Sequence, residues 1–498
     1  MSTLRPRQLL LPLLFSLCIV RLWLMPLGSS FWTDEIATVF VARYGANHPS
    51  VTDVAPQAWK SLYYYLPRVT GAWFGGSEIG IRMPSILAMA GLLLLVGRLA
   101  SRLIRPEAAW FAVFACLSQK GLDYHAADAH PYALGMCVAA ACLLFLVRWL
   151  DSNRWVDASA FLVCGALIWR IHLLFWPFYF VLIIYALVRI ARGQTKVGWG
   201  KAAAVFGVLG VTLLPVLMDA LALFGEAPAH VVVAMPSVRD LVGSFKLNLV
   251  VLCGAGAWIL YRLRRWRPEP RPSPAPAALV LILAWWLCQP LLLFAFSWVT
   301  GSSVFVTRYL SLALPGAALT ATLAAACFIP AAKWKWITAA LALAALIQAG
   351  DWTQVWPLHH NSDWRAAAAA VNRLEAGGSA PVICPSPFIE AKPPVWRPDY
   401  PLPGFLYAPL SVYPIRGKTY LFPFEGSPEA ERYAATLSRD TLASSPRFVL
   451  YGWEPQVHFW RDWFAARPEL TGWRQRSLGP FADVDVVLFE PGAASTVR

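Results

Sequence analysis

Long apolar runs separated by short basic clusters constrain this chain more than any other feature. The first runs from Leu9 to Leu27, after Arg5 and Arg7. About 20 apolar residues rising ~1.5 Å each cross the ~30 Å hydrocarbon core of a bilayer, so such a run reads as a membrane span. Further runs are expected to cross at Pro84–Val96, Ala108–Leu117, Tyr132–Val147, Val156–Trp169, Leu173–Val188, Ala202–Leu223, Leu247–Leu260, Ala277–Phe296, Val306–Ile329 and Trp336–Ala349. Clusters such as Arg98/Arg102/Arg105, Arg148/Arg154, Arg189/Arg192/Lys196 and Lys333/Lys335 follow every second run, which fixes these ends on one side and predicts about 11 spans with the N-terminus cytoplasmic. The N-terminus has the basic and apolar parts of a signal peptide but no small-residue cleavage site before Asp34, so it is read as a span.

A mean hydropathy of +0.52, with 58% hydrophobic and 14% charged residues, excludes a soluble multidomain protein. The net charge of +14 sits in the inter-span clusters, which orient helices and do not read as a nucleic-acid surface. Eight of the nine cysteines lie inside apolar runs and Cys384 has no polar-region partner, so neither a disulfide framework nor a zinc site is expected.

Composition changes at Asp351. Residues 1–350 read as a membrane domain and 351–498 as a periplasmic α/β domain, with 28–83 as the first periplasmic loop and 262–276 as a cytoplasmic, basic, proline-rich linker. Ser362-Asp363-Trp364-Arg365 followed by five alanines predicts a capped helix to about Leu374, with Gly377-Gly378 as its stop. Ala380–Cys384, Arg447–Tyr451 and Val484–Glu490 have strand length and composition.

The adjacent carboxylates of Asp34 and Glu35 stand just past the first span. Thr33 is placed to cap a helix from Asp34 to about Tyr44, and acidic residues suit a helix N-terminus by charge alone. Neighbours on a helix also point about 100° apart, so one carboxylate can serve as a base while the other braces the loop. Other polar residues gather on the same expected outer side: Lys60, Tyr63, Tyr64, Arg82, Asp123, His125, Asp128, His130, Tyr132, Arg170, His172, Arg239 and Arg308. The Tyr63-Tyr64-Tyr65 run reads as an interfacial aromatic belt and Arg21 as a side chain snorkelling to the interface. Carboxylates with Lys, Arg and His suit activation of a hydroxyl and stabilisation of a departing phosphate. No phosphate loop or dinucleotide fingerprint points to a soluble nucleotide donor.

Asp34-Glu35, Leu62-Tyr63-Tyr64, Arg82-Met83-Pro84-Ser85, Asp128-Ala129-His130-Pro131-Tyr132 and Arg308-Tyr309 with Pro315 occur in an order that resembles the motifs of GT-C glycosyltransferases. The similarity is to the branch of protein O-mannosyltransferases and lipid A aminoarabinose transferases. The resemblance implies inverting transfer of a sugar from a polyprenyl-phosphate donor to a hydroxyl or phosphate of a cell-envelope acceptor, on the periplasmic face of a bacterial inner membrane. Asp34 would be the base and Glu35 its acidic companion. Arg308, Lys60 and His130 would bind the donor phosphate, and Tyr63, Tyr64, Arg82, Asp128 and Tyr132 would line the acceptor pocket. Trp59-Lys60-Ser61 stands where many members carry His-Pro-Pro or Lys-Pro-Pro, so Lys60 is the candidate for that charge. No cofactor is assigned, and a divalent metal stays an open alternative. A transporter or lipid flippase would instead place ionisable groups at the bilayer midplane and repeat its halves, and a catalytically inactive accessory protein is the third reading.

Overall fold

A computed structural model describes residues 6–55, 61–224, 233–266, 275–360, 362–375 and 380–492. The chain divides into two compact units, residues 1–27 with 60–357 and residues 28–59 with 358–498.

In chain order the elements used below are α1 (Pro6–Cys18), α2 (Thr33–Tyr44), α3 (Glu78–Leu103), α4 (Ala109–Leu117), α5 (Lys120–Ala126), α6 (Tyr132–Ser152), α7 (Trp155–Ile171), α8 (Leu247–Leu263), α9 (Pro276–Thr300), α10 (Leu314–Ala326), α11 (Trp334–Ala349) and α12 (Trp364–Glu375). All but α2 and α12 belong to the first unit.

Among the described residues, seven helices of that unit are long and apolar enough to cross a membrane, and an eighth is counted if Val238–Ser244 and α8, bent by 50°, form one broken span. The runs expected at Ala108–Leu117, Val156–Trp169 and Trp336–Ala349 are helical too, but short: the second and third form α7 and α11, of 17 and 16 residues. The protein is a polytopic helical membrane protein. Most of the basic linker expected at 262–276 lies outside the described residues.

Apolar lipid gives helices no hydrophobic reason to associate, so close packing of small residues has to hold them together. At Gly316 on α10, an added Cβ would lie 2.5 Å from the backbone nitrogen of Trp286 on α9. Only glycine allows that approach. Arg21 does not snorkel. It is buried and donates to the carbonyl oxygens of Gly350 (2.6 Å), Asp351 (2.6 Å), Gln354 (2.8 Å) and Val355 (2.8 Å), which accounts for backbone acceptors that the end of α11 leaves unpaired.

The second unit is α/β. Its five-stranded sheet contains β1 (Pro381–Pro385), β2 (Lys418–Phe422), β3 (Phe448–Trp453), β4 (Trp473–Ser477) and β5 (Val484–Pro491) in the order β2-β1-β3-β5-β4. β1 runs parallel to β2 and β3, and β5 is antiparallel to β3 and β4. The three strands expected from sequence are the central ones, where burial on both faces demands continuous apolar runs. The two unforeseen strands lie at the sheet edges; Trp473-Arg474-Gln475-Arg476-Ser477 carries no apolar pattern because it is mostly solvent-facing. The alanine-rich α12 forms as expected, with the Asp363 carboxylate accepting the Ala366 N–H at 3.0 Å. Its predicted Gly377-Gly378 stop lies outside the described residues.

Candidate active site

In the first unit, the residues ahead of α6 and those ahead of α10 supply a cluster of imidazoles, phenols and one guanidinium. A tight turn, with the His130 N–H donating to the Asp128 carbonyl at 2.8 Å, leads into α6. Tyr132, the first residue of α6, is 1% exposed and forms the hub. Its ring centroid lies 4.7 Å from His125, 5.0 Å from His130, 5.5 Å from His172 and 6.5 Å from Tyr309. Gly135, one turn further along α6, has no Cβ to obstruct Phe175, whose ring packs on His172 at 5.0 Å.

Arg308 and Tyr309 lie in a short 3₁₀ segment, Thr307–Ala313, that precedes α10. The Gln289 side-chain amide donates to the Tyr309 carbonyl at 2.7 Å and fixes that segment to α9. The Arg308 guanidinium carbon is 5.5 Å from the Tyr309 ring centroid, within cation–π range, and the Tyr309 ring is 5.4 Å from His172. Arg308, His130, His172 and Tyr309 are each half-buried, whereas Asp128 and His125 are buried. The His125 Nδ1 and an Asp128 carboxylate oxygen are 3.6 Å apart.

Burial, then the positive fields of His130 and Arg308, pull the His172 imidazole down to about 3. Independent geometry agrees, because its Nδ1 accepts the Leu174 N–H at 3.2 Å and so carries no proton. His172 is therefore a neutral ring beside a permanently charged guanidinium.

Arg82 and Tyr63 are both fully buried. Arg82, on α3, donates to the Leu27 carbonyl at 2.7 Å, and the Tyr63 hydroxyl is 3.4 Å from the Ser85 hydroxyl one turn along the same helix. Of the expected aromatic belt, Tyr65 is exposed, Tyr64 is half-buried and Tyr63 is core. Lys60 lies outside the described residues.

Asp34 and Glu35 lie in the second unit, in the first turn of α2. The helix starts at Thr33, with extended Trp32 as its N-cap, so Thr33 is not the cap. Glu35 is buried, and its carboxylate reaches back to accept the Trp32 N–H at 3.3 Å. The preceding loop is held by several other bonds within this unit. Tyr413 hydroxyl accepts the Phe31 N–H at 2.9 Å, and Ser29 and Ser30 hydroxyls accept the N–H groups of His359 (3.1 Å) and Arg365 (3.2 Å). Trp32 stacks on His360 at 4.7 Å and 6°. Asp34 is half-buried, and its neighbour is the carboxylate that closes the helix end.

Of the site residues expected from sequence, His130, Tyr132 and Arg308 meet on one set of rings in the first unit. His125 and His172, expected only among the outer polar residues, and Tyr309, the second residue of the Arg308-Tyr309 motif, join them there. A histidine directly before an apolar run, as at His172-Leu173, was the available signal.

The sequence matches no protein-family model and no curated protein. The fold does have solved likenesses. ArnT from Cupriavidus metallidurans in the apo state aligns over 96% of this chain and 97% of its own, with a TM-score of 0.55 and 16% identity. ArnT from the same organism bound to undecaprenyl phosphate aligns over the same shares, with a TM-score of 0.50 and 13% identity. The fold of this chain is thus the one these two ArnT structures share.

Proposed function

We propose that this protein transfers a sugar from a polyprenyl-phosphate donor to a hydroxyl or phosphate of a cell-envelope acceptor, in a bacterial inner membrane. The N-terminus is cytoplasmic in this reading, and the second unit faces the periplasm. The observation that carries it is Arg308 set among Tyr132, Tyr309, His130 and His172, in a chain with the fold of the two ArnT structures. A fixed cation beside the neutral His172 ring suits a phosphate whose charge grows as its bond to sugar breaks. The solved likeness that binds undecaprenyl phosphate supports the choice of lipid carrier.

The acceptor oxygen attacks the anomeric carbon as the bond from that carbon to the phosphate oxygen breaks, with inversion. Asp34 takes the acceptor proton, and Glu35, committed to the Trp32 N–H, holds the loop that presents Asp34. Arg308, with His130 and Lys60, takes up the phosphate charge. Tyr63, Tyr64, Arg82, Asp128 and Tyr132 shape the acceptor side. No step above is routed through a divalent metal.

The test is incubation of the purified protein with a radiolabelled polyprenyl-phosphate sugar and a membrane extract. Label moving from the donor lipid to a second envelope component supports transfer; label that stays on the donor in every extract fraction refutes it. A mass shift on one envelope component after deletion of the protein would name the acceptor.

A further inference from the structure

A groove of about 560 Å³ opens in the first unit, lined by α4, α8, α11, the segment joining α4 to α5, and the first residues of α5 and α10. From α8 it takes Leu249, Leu252, Cys253, Gly256, Ala257 and Leu260, one helical face over about 16 Å at ~1.5 Å per residue. From α11 it takes Ile337, Ala340, Leu341, Ala344 and Ala345, again one face. That depth is close to half of the ~30 Å hydrocarbon core, the reach of a single leaflet.

The polar lining is confined to helix ends. Ser118, Gln119 and Lys120 follow α4, Lys246 and Asn248 flank the start of α8, and Gln348 lies at the end of α11. No acidic side chain lines the groove among the described residues. Lys246 adopts a left-handed backbone (φ 51°), which a non-glycine residue adopts only at a cost. Gln119 is 7% exposed, and its amide nitrogen donates to the carbonyls of Ala115 (3.3 Å) and Leu314 (3.1 Å). Its carbonyl oxygen is buried with no partner among the described residues. A buried acceptor in this state costs free energy unless a ligand supplies an O–H or N–H.

We propose that this groove binds an acyl phospholipid with an anionic, hydroxyl-bearing head group, phosphatidylglycerol in type. Its chain lies between α8 and α11, its phosphate meets Lys120 and Lys246, and a head-group hydroxyl donates to Gln119. The small residues Gly256, Ala257, Ala340 and Ala344 let an unbranched chain lie close to both helices, where a methyl-branched isoprenoid would stand off. The site shares no residue with the Arg308 cluster and does not depend on the proposed transfer reaction.

Native mass spectrometry of the full chain in detergent, with phosphatidylglycerol, phosphatidylcholine or polyprenyl phosphate added at equal concentration, tests this. Wild type should retain phosphatidylglycerol at least tenfold better than phosphatidylcholine. The double variant K120Q/K246Q should lose that preference, and Gln119→Leu should weaken retention severalfold. Ala344→Phe, at an exposed position, should block the groove while elution and thermal midpoint stay at wild-type values. Equal retention of the two phospholipids, unchanged phosphatidylglycerol retention in Ala344→Phe, or its displacement by polyprenyl phosphate at equal concentration would each overturn the proposal.

Discussion

The imidazole of His172 and the phenol ring of Tyr309 stand 5.4 Å apart at 46°, joining the end of α7 to the segment that carries Arg308. Because His172 titrates near 3 in the folded chain and near the reference ~6.5 when unfolded, the unfolded state binds the extra proton in between. Stability from this group is present above about pH 6.5 and is lost as pH falls toward 3. A His172→Phe variant, which cannot titrate, should show a smaller drop in thermal midpoint between pH 7 and pH 4 than wild type. Thermal melts across that range check it; parallel losses would contradict it.

Arg308 should not be replaceable by a merely positive side chain. Arg308→Gln is expected to slow sugar transfer by about 10²–10³, the usual loss when one preorganised donor to a developing anion is removed. Arg308→Lys should recover only part of this, since lysine lacks the planar fork. Initial rates at matched protein level, with circular dichroism as the folding control, measure both.

Gly316→Ala forces a Cβ to within 2.5 Å of the Trp286 backbone. Backbone cannot rotate aside as a side chain can, so α9 and α10 must separate, at about 1–3 kcal/mol. A lowered thermal midpoint in detergent is expected, and an unchanged one would show that the helix pair is looser than described.

Asp123 accepts the Trp23 indole N–H at 2.9 Å, and burial raises its carboxyl well above the usual range. Such a group loses stability as pH rises from the unfolded value near 3.9 toward the folded one, because the unfolded state ionises first. Asp123→Asn keeps an acceptor for Trp23 and removes that loss, so it should melt at or above wild type at pH 7. Asp123→Leu, which orphans the indole, should melt lower, by about 1–3 kcal/mol in stability.

The helical membrane unit was legible because a bilayer demands one property over many consecutive residues, and the runs from Leu9 to Ala349 display it. What depended on contacts distant in the chain was not. Arg21 looked like a snorkelling residue because nothing near it in sequence announces the four carbonyls at residues 350–355 that it meets. The edge strands β2 and β4 escaped because one-sided burial leaves no continuous apolar signature. At the candidate site, the short motifs contain Tyr132, Arg308 and Tyr309, whereas His172 acquires its meaning only when α6, α7 and the Thr307–Ala313 segment converge.

The account depends most heavily on Asp34 as the proton acceptor. The direct measurement is label transfer from a polyprenyl-phosphate sugar by wild type and by Asp34→Asn, purified to the same level and with the same thermal midpoint. The account predicts transfer by wild type and loss of at least 100-fold in the variant, the lower end of what general-base assistance contributes. Transfer by Asp34→Asn at a rate comparable to wild type would contradict it.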